Sequence, residues 1–357
     1  MTMRIGVPRE IKPLEGRVAL LPGACAELVH HGQEVLVERG AGRLSGYADE
    51  AYAGAGARLV DGAEALYGES RLIVKVKEPV GVELEYLRSD HILFCFLHLA
   101  ANRELALALR SIGLTAIAFE TIEVAGRLPI LAPMSEVAGR VAVQVGTHLL
   151  HYPQGGRGVL LGGVTGTDRG AVVVIGAGVA GGAAAAMAAA MGATVTVFDK
   201  NPDRLAAMRA LGPNVTALHA TREDMATSLR AADLLVGAVL IPGRRAPVVV
   251  HRETVSAMRR GSVIVDISVD QGGCVETTRP ATYDAPTYVE EAVTHFTVTN
   301  MPGGVPRTAS QALSAHVLPY ALRLVEPDWE ADPALGAGIN VRGGEFVNPS
   351  IRAEFAG

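Results

Sequence analysis

From Gly170 to Phe198 the chain carries no charged side chain, a run longer than the ~20 residues that span a bilayer. Its internal order argues against a membrane helix. A β-branched run, Val172 to Ile175, gives way to Gly176-Ala177-Gly178-Val179-Ala180-Gly181, then to an Ala-rich, helix-favouring stretch, and then to a second β-type run, Thr194 to Phe198, that ends in Asp199. Strand, glycine turn, helix, strand and terminal acid together form the signature of a dinucleotide site in a parallel α/β fold. Gly176 permits the tight turn, Gly178 lets backbone N–H groups approach a pyrophosphate at a helix N-terminus, and Gly181 allows the helix to lie close to the strand. Asp199 would accept hydrogen bonds from the adenosine ribose and repel a 2′-phosphate, which favours NAD over NADP, a preference that Lys200 and Arg204 nearby would blunt. Glycines that serve tight packing alone are the competing account.

The same alternation of strand-like and helix-like stretches runs through the first 125 residues, so two α/β domains are expected. Strands are predicted at Arg4–Val7, Glu34–Glu38, Leu72–Lys77, Ile92–Leu97 and Thr115–Glu120, and helices at Ala24–His30 and Arg103–Ile112. A helix-like Glu136–His151 and a Gly-rich connection, Gly155 to Gly163, precede a second series with strands at Val172–Ile175, Thr194–Asp199, Leu234–Ala238 and Val263–Ser268. A helical stretch, Ser310 to Leu324, leads into a weakly patterned tail.

Composition removes several functions. With 32 Lys+Arg against 37 Asp+Glu the net charge is -5, so a strongly basic nucleic-acid binder is not expected. Cys25, Cys95 and Cys274 are far apart and form no C-x-x-C pair, which suggests neither a disulfide framework nor a thiolate zinc site and fits a reducing cytoplasm. No apolar stretch near the amino terminus suits a signal peptide.

Ligands of open parallel sheets bind beyond the carboxyl ends of the strands, and three successive predicted strands end in ionisable groups: Lys77, His98 and Glu120. Only Lys12, Lys75, Lys77 and Lys200 among the basic residues are lysine, so two in one strand are unlike routine surface cations. Period-two alternation puts Lys75 and Lys77 on one face. Lys77, nearer the strand end, can hold a carboxylate or polarise a carbonyl, with Lys75 structural or supporting; a solvated edge strand is the alternative. His98 can exchange protons near neutral pH or serve as a hydrogen-bonded structural residue, and Glu120 can orient His98 or a lysine. In the second series Asp270 follows a buried-type strand and precedes Gly272-Gly273, as either an acid–base group or a turn-initiating aspartate.

An ordered set of words runs through nearly the whole chain, to about residue 340: Gly6-Val7-Pro8-Arg9-Glu10, Gly16-Arg17-Val18-Ala19-Leu20, Lys75-Val76-Lys77-Glu78-Pro79, Leu97-His98-Leu99-Ala100-Ala101, Ala132 to Arg140, Gly237 to Gly243, Val269-Asp270-Gln271-Gly272-Gly273-Cys274 and Asn300-Met301-Pro302-Gly303. This set resembles the family of alanine dehydrogenases and the nicotinamide-binding subunits of proton-translocating transhydrogenase. The resemblance implies two Rossmann-like domains with parallel sheets and an active-site cleft, residues 1–128 completed by 307–357 for the substrate and 129–306 for NAD. It implies reversible oxidative deamination of L-alanine with NAD to pyruvate and ammonium, with Arg17 and Lys77 binding substrate, His98 and Asp270 in acid–base roles and Glu120 behind them. Ser135, Gly176, Gly178, Val179, Gly181, Asp199, Arg204, Val239, Leu240, Ile267, Asp270, Arg279, Asn300 and Met301 would line or approach the cofactor. It also implies a homo-oligomer, commonly a hexamer, with small-molecule partners and neither membrane nor nucleic acid.

The implied chemistry suits these groups. A two-cation clamp on an α-carboxylate converts binding energy into orientation of the Cα–H, and hydration and collapse of the resulting iminium need a proton acceptor and donor. Ser268, Thr165 and the Thr308–Ser314 segment depart from the family pattern. They leave open a related dehydrogenase acting on another small or N-alkyl amino acid. A transhydrogenase subunit and a catalytically silent sensor are the readings of other classes, which His98, Asp270, Arg17 and Lys77 argue against. The family's occasional metal-binding Glu and His are unmatched near Arg323, so no metal is expected.

Overall fold

The computed structural model describes residues 2–241 and 245–355; Pro242 and Gly243 of the Gly237–Gly243 word lie outside these. The chain forms two compact units, Met1–Met134 with Gly303–Gly357, and Ser135–Pro302. In chain order the strands are β1 (Arg4–Val7), β2 (Glu34–Glu38), β3 (Arg58–Val60), β4 (Leu72–Val74), β5 (Ile92–Cys95) and β6 (Thr115–Ala118), then β7 (Ala171–Ile175), β8 (Thr194–Asp199), β9 (Val215–His219), β10 (Leu234–Gly237), β11 (Val263–Asp266), β12 (Thr287–Glu290) and β13 (Val293–Phe296), and finally β14 (Ile339–Arg342) and β15 (Glu345–Phe346).

Among the described residues the first unit's sheet has the order β15-β14-β6-β5-β4-β1-β2-β3 and the second's β12-β13-β11-β10-β7-β8-β9. The expected parallel α/β architecture holds for six strands of each sheet, and β12, β14 and β15 add antiparallel edges. Both parallel sets follow one plan: the order reverses beside the first strand, between β1 and β4 in one unit and between β7 and β10 in the other. Such reversals open a crevice beyond the carboxyl ends of the strands.

The long uncharged run resolves as expected into β7, a helix at Val179–Ala190 and β8. Ala183, Ala184, Ala185 and Ala188 are buried along that helix, small side chains that let it lie close on the sheet. No described helix is long and apolar enough to cross a membrane. The weakly patterned tail pairs β14 with β6 and closes β14–β15 through a two-residue turn, Gly343-Gly344, with both φ positive. In the first unit the helix Pro306–Leu324 buries Ala309, Leu313, Val317, Ala321 and Leu324 against the β1–β6 core, the spacing of one helix face.

Several predicted strands end early. Lys77, Leu97, Glu120 and Ser268 lie two or three residues beyond the ladders, because after β6 and β11 the chain turns into short 3-10 helices, Phe119–Thr121 and Ile267–Gln271, and elsewhere a neighbouring strand has ended. Beyond β4, for example, Lys75 and Val76 remain bonded to the β5 side through Lys75 N to Phe94 O and Phe96 N to Val76 O, while β1 has ended at Val7.

Candidate active site

In the first unit the ionisable groups stand on loops beyond the carboxyl ends of the strands. Arg17 is 3 % exposed, and its Nε and Nη2 donate to Glu15 Oε1 and Oε2 at 2.7 and 2.6 Å, a two-pronged pair. Its Nη1 lies 3.4 Å from Met134 Sδ. The loop that carries Arg17 is tied to the Pro306–Leu324 helix: Val18 N and Leu21 N donate to the hydroxyls of Ser310 and Ser314 at 3.0 and 2.9 Å. The tail of the chain therefore fixes a loop near its beginning.

Lys75 is fully buried, with Nζ 2.6 Å from Glu83 Oε1 and 3.6 Å from Glu10 Oε2, so it belongs to an internal charge cluster. Lys77 is half-buried at the start of the following loop. Next to it Glu78 accepts from Lys12; burial raises its carboxyl, but the Lys12 hydrogen bond and the charges of Lys77 and Lys12 hold it below the usual carboxylate range.

His98 is in the left-handed region at φ 50°, an uncommon conformation for a residue with a side chain. Glu120 compensates: its Oε1 accepts from His98 N at 2.6 Å and its Oε2 from Leu97 N at 3.2 Å. The imidazole stacks on Phe96 with centroids 5.8 Å apart and is 44 % exposed, its Nδ1 3.9 Å from Glu120 Oε1. Glu120 thus grips the backbone of His98 and leaves the ring outward.

In the second unit the glycine turn is built as its sequence requires. Gly176 has φ +97°, and a Cβ there would lie 2.4 Å from the Ala238 carbonyl oxygen; one on Gly181 would lie 1.7 Å from that of Gly176. At Gly178 the space is open, and as N-cap of the helix it offers no side-chain cap to the first-turn amides. Bare amides, a helix N-terminus and open space fit the pyrophosphate of a dinucleotide. Asp199, at the end of β8, accepts from Ala177 N at 2.6 Å and Asn201 N at 2.8 Å, so the turn aims the carboxylate. Arg204 Nη1 is 4.0 Å from it. Val179 is exposed at the head of the helix. Ser135 lies one turn before Gly139, whose Cβ position is 2.1 Å from Ala180 O, which brings its helix against the same turn.

The loops after β10 and β11 are stitched together. Ser268 is buried, and its hydroxyl accepts from Val239 N at 2.9 Å. Leu240 is exposed beyond it and Ile267 half-buried. Asp266 is wholly buried and accepts from Ser268 N, Cys274 N, Val275 N and the Thr278 hydroxyl at 3.0, 2.8, 3.1 and 2.7 Å, a clamp that the sequence reading missed. That clamp presents Asp270, exposed, whose Oδ1 accepts from Asn300 N at 3.2 Å. Asn300 is itself left-handed at φ 63°, and Met301 is buried, its carbonyl accepting from Tyr283. Arg279 lies 3.7 Å over the Tyr288 ring and 3.1 Å from Glu290 of β12. No group of His, Cys, Asp and Glu able to hold a metal occurs among the described residues.

Known proteins share both halves of this arrangement. The family models for the alanine dehydrogenase/PNT N-terminal and C-terminal domains match residues 6–138 and 142–349. Alanine dehydrogenase of Bacillus subtilis is 47% identical over 98% of this chain and 94% of its own length, and that of Mycobacterium tuberculosis 45% over 99% and 96%. A solved L-alanine dehydrogenase superposes with a TM-score of 0.95 at 47% identity, covering 99% of both chains, and a transhydrogenase from Sinorhizobium meliloti with 0.84 at 28%, covering 97% and 99%. With both family models matched in order across nearly its whole length, this chain belongs to the alanine dehydrogenase/PNT family.

Proposed function

We propose that the protein is an NAD-dependent L-alanine dehydrogenase, catalysing the reversible oxidative deamination of L-alanine to pyruvate and ammonium. The observation that carries this reading is the full-length likeness at 47% identity to an L-alanine dehydrogenase structure, in a chain that keeps Arg17, Lys77, His98 and Asp270. The family uses a nicotinamide dinucleotide, and a bound oxidised nicotinamide supplies the hydride acceptor. Asp199, fixed by Ala177 N and Asn201 N, gives the ribose an acceptor and a 2′-phosphate a repulsive neighbour, hence NAD. The amides around Gly176–Gly181 take the pyrophosphate, with Ser135, Val239, Leu240, Ile267, Asn300 and Met301 around the remainder and Arg204 and Arg279 at its margins.

Arg17 and Lys77 bind the substrate carboxylate and carbonyl and orient the Cα–H. The Glu15 pair fixes the guanidinium plane before substrate arrives, so little orientation is lost on binding. His98 and Asp270 accept and return protons as water adds to the iminium and the carbinolamine collapses. Glu120 acts through the His98 backbone. The departures at Ser268, Ser310 and Ser314 serve the loops, since their hydroxyls accept from the amides of Val239, Val18 and Leu21. The buried free thiols suit a reducing cytoplasm, and the expected assembly is a hexamer.

The test is NADH absorbance with purified protein, pyruvate and either ammonium or methylamine. Ammonium-dependent oxidation supports the proposal. Oxidation with methylamine alone would replace it with an N-alkyl amino acid dehydrogenase, and silence with NADH still bound would point to another oxo acid or to a non-catalytic role.

A further inference from the structure

Behind Lys77 lies a buried carboxyl that the proposed chemistry does not use. Glu10 follows β1, and its side chain crosses to the strand extension beyond β4, where its Oε1 accepts from Val76 N at 2.6 Å and from Lys77 N at 3.4 Å. On the other side Val76 O accepts from Phe96 N. On the Glu10 side β1 has ended at Val7, so the carboxyl supplies the acceptor that a strand neighbour would give to a buried amide.

The other oxygen, Oε2, is buried without a hydrogen-bond partner and stands 3.6 Å from Lys75 Nζ. Lys75 is closer to Glu83 Oε1, at 2.6 Å, which also accepts from the Tyr67 hydroxyl at 3.1 Å, while Glu83 Oε2 accepts from Val80 N at 2.9 Å. Glu83 is fully served and Glu10 shares the same ammonium from the poorer side. The titratable groups that act on or respond to Glu10 are Lys75 after β4, Glu83 on the helix Glu83–Tyr86, Glu15 on the Arg17 loop, Tyr67 on the helix Ala63–Glu69 and Cys95 on β5. Burial, reinforced by Glu15 and Glu83, outweighs the charge of Lys75 and the Val76 hydrogen bond and pushes the carboxyl up to about 7.

We propose that Glu10 is a positioning residue, its buried carboxyl clamping the Val76–Lys77 backbone and so setting where Lys77 meets the substrate. The inference rests on the reading of Lys77 given above. Ionised, Glu10 makes charge-assisted bonds to both amides; protonated, it holds them more weakly. The hold on Lys77 therefore tightens as pH rises through the neutral range, and pyruvate binding follows it.

The experiment compares wild type, Glu10→Gln, Glu10→Ala and Lys77→Ala by pyruvate KM from about pH 6 to pH 9, with NADH affinity measured in parallel by fluorescence. Glu10→Ala should raise pyruvate KM by about tenfold to a hundredfold with NADH affinity unchanged. Glu10→Gln keeps the shape and an acceptor oxygen but cannot titrate, so the neutral inflection in pyruvate KM should shrink to what His98 alone leaves, and this variant decides the matter if Glu10→Ala fails to fold. Retention of the full inflection in Glu10→Gln, beside a raised KM in Lys77→Ala, overturns the role of Glu10 alone. A normal pyruvate KM in Lys77→Ala overturns the reading of Lys77 and the inference with it.

Discussion

The two places where strand order reverses, β1 against β4 and β7 against β10, have the same topology and opposite contents. Beside β7 the chain uses three residues, Gly176–Gly178, before the helix begins, and backbone packs on backbone too closely for a Cβ. Beside β1 it uses fourteen, Pro8 to Leu21, before the next helix, and side chains fill the crevice: Glu10, Glu15 and Arg17 from that loop, Lys75 from beyond β4. A tight glycine turn leaves amides and a helix N-terminus facing outward, which suits a phosphate ligand. A long loop with buried ion pairs fixes charged side chains in direction, which suits a small carboxylate. One device recurs in both units: carboxylates accept from backbone amides just past the strand ends, Glu10 and Glu120 in the first, Asp199 and Asp266 in the second. The topology supplies the crevice and the local sequence decides whether amides or side chains line it.

The largest difference between the two crevices is expected at His98. Its replacement by alanine should lower kcat by about 10²–10⁴-fold and leave NADH binding intact. Gly181→Ala should do the reverse, since a methyl 1.7 Å from the Gly176 carbonyl oxygen forces the turn apart; NADH affinity should fall about a hundredfold. Fluorescence titration and turnover measured on both variants test the division of labour. NADH binding lost in His98→Ala, or retained in Gly181→Ala, would refute it.

Stability separates the two crevices next. Lys75→Met removes the ammonium shared by Glu83 and Glu10 and leaves buried carboxylates without a cation, a change worth about 3–5 kcal/mol. Urea unfolding should register that loss. A loss below about 1 kcal/mol, the scale of a surface pair, would show that the cluster is solvated and that the first crevice is not built on a buried charge.

How far the sequence alone led depends on what kind of signal each element carries. The glycine turn, the uncharged helix and the alternating strands were legible because periodicity and special residues act locally. The β12–β13 hairpin was not, because its turn residues, Glu291 and Ala292, have positive φ without being glycine or asparagine. Nor was β15, whose strand character comes from pairing with β14. Lys77, His98 and Glu120 could be placed near strand ends from the sequence, but the grip of Glu120 on the His98 amide depends on strands 22 residues apart being neighbours. Asp266 gave no signal at all, since a carboxylate inside an apolar run is recognisable as a clamp only when its donors from the loop are in place.

A smaller effect sharpens the account of the second crevice. Asp199→Ala removes the proposed acceptor for the ribose and a negative charge that would oppose a 2′-phosphate, so the NAD to NADP ratio of kcat/KM should fall about tenfold, the worth of one hydrogen bond to a charged group. Because Asp199 also holds Ala177 N and Asn201 N, some loss of NAD affinity should accompany the change. An unaltered ratio would mean that the carboxylate serves the turn alone.

The smallest effect is a slope. Glu10 is raised in the folded chain from the ordinary 4.5 to about 7, so its contribution to stability is fully present below the ordinary carboxylate value and is lost as pH rises to about 7. The loss is on the order of 3 kcal/mol at most. Glu10→Gln cannot ionise, so the stability difference between wild type and variant should shift in favour of the variant from about pH 5 to pH 8. Burial lowers His91 and His295 and gives them slopes of their own, but these are common to both proteins and cancel in the difference. Urea midpoints across that range are the measurement. A difference that stays flat with pH would mean that Glu10 is ionised throughout and paired with Lys75 as firmly as Glu83 is; the first crevice would then be a closed ion-pair lattice, with no proton to exchange in the neutral range.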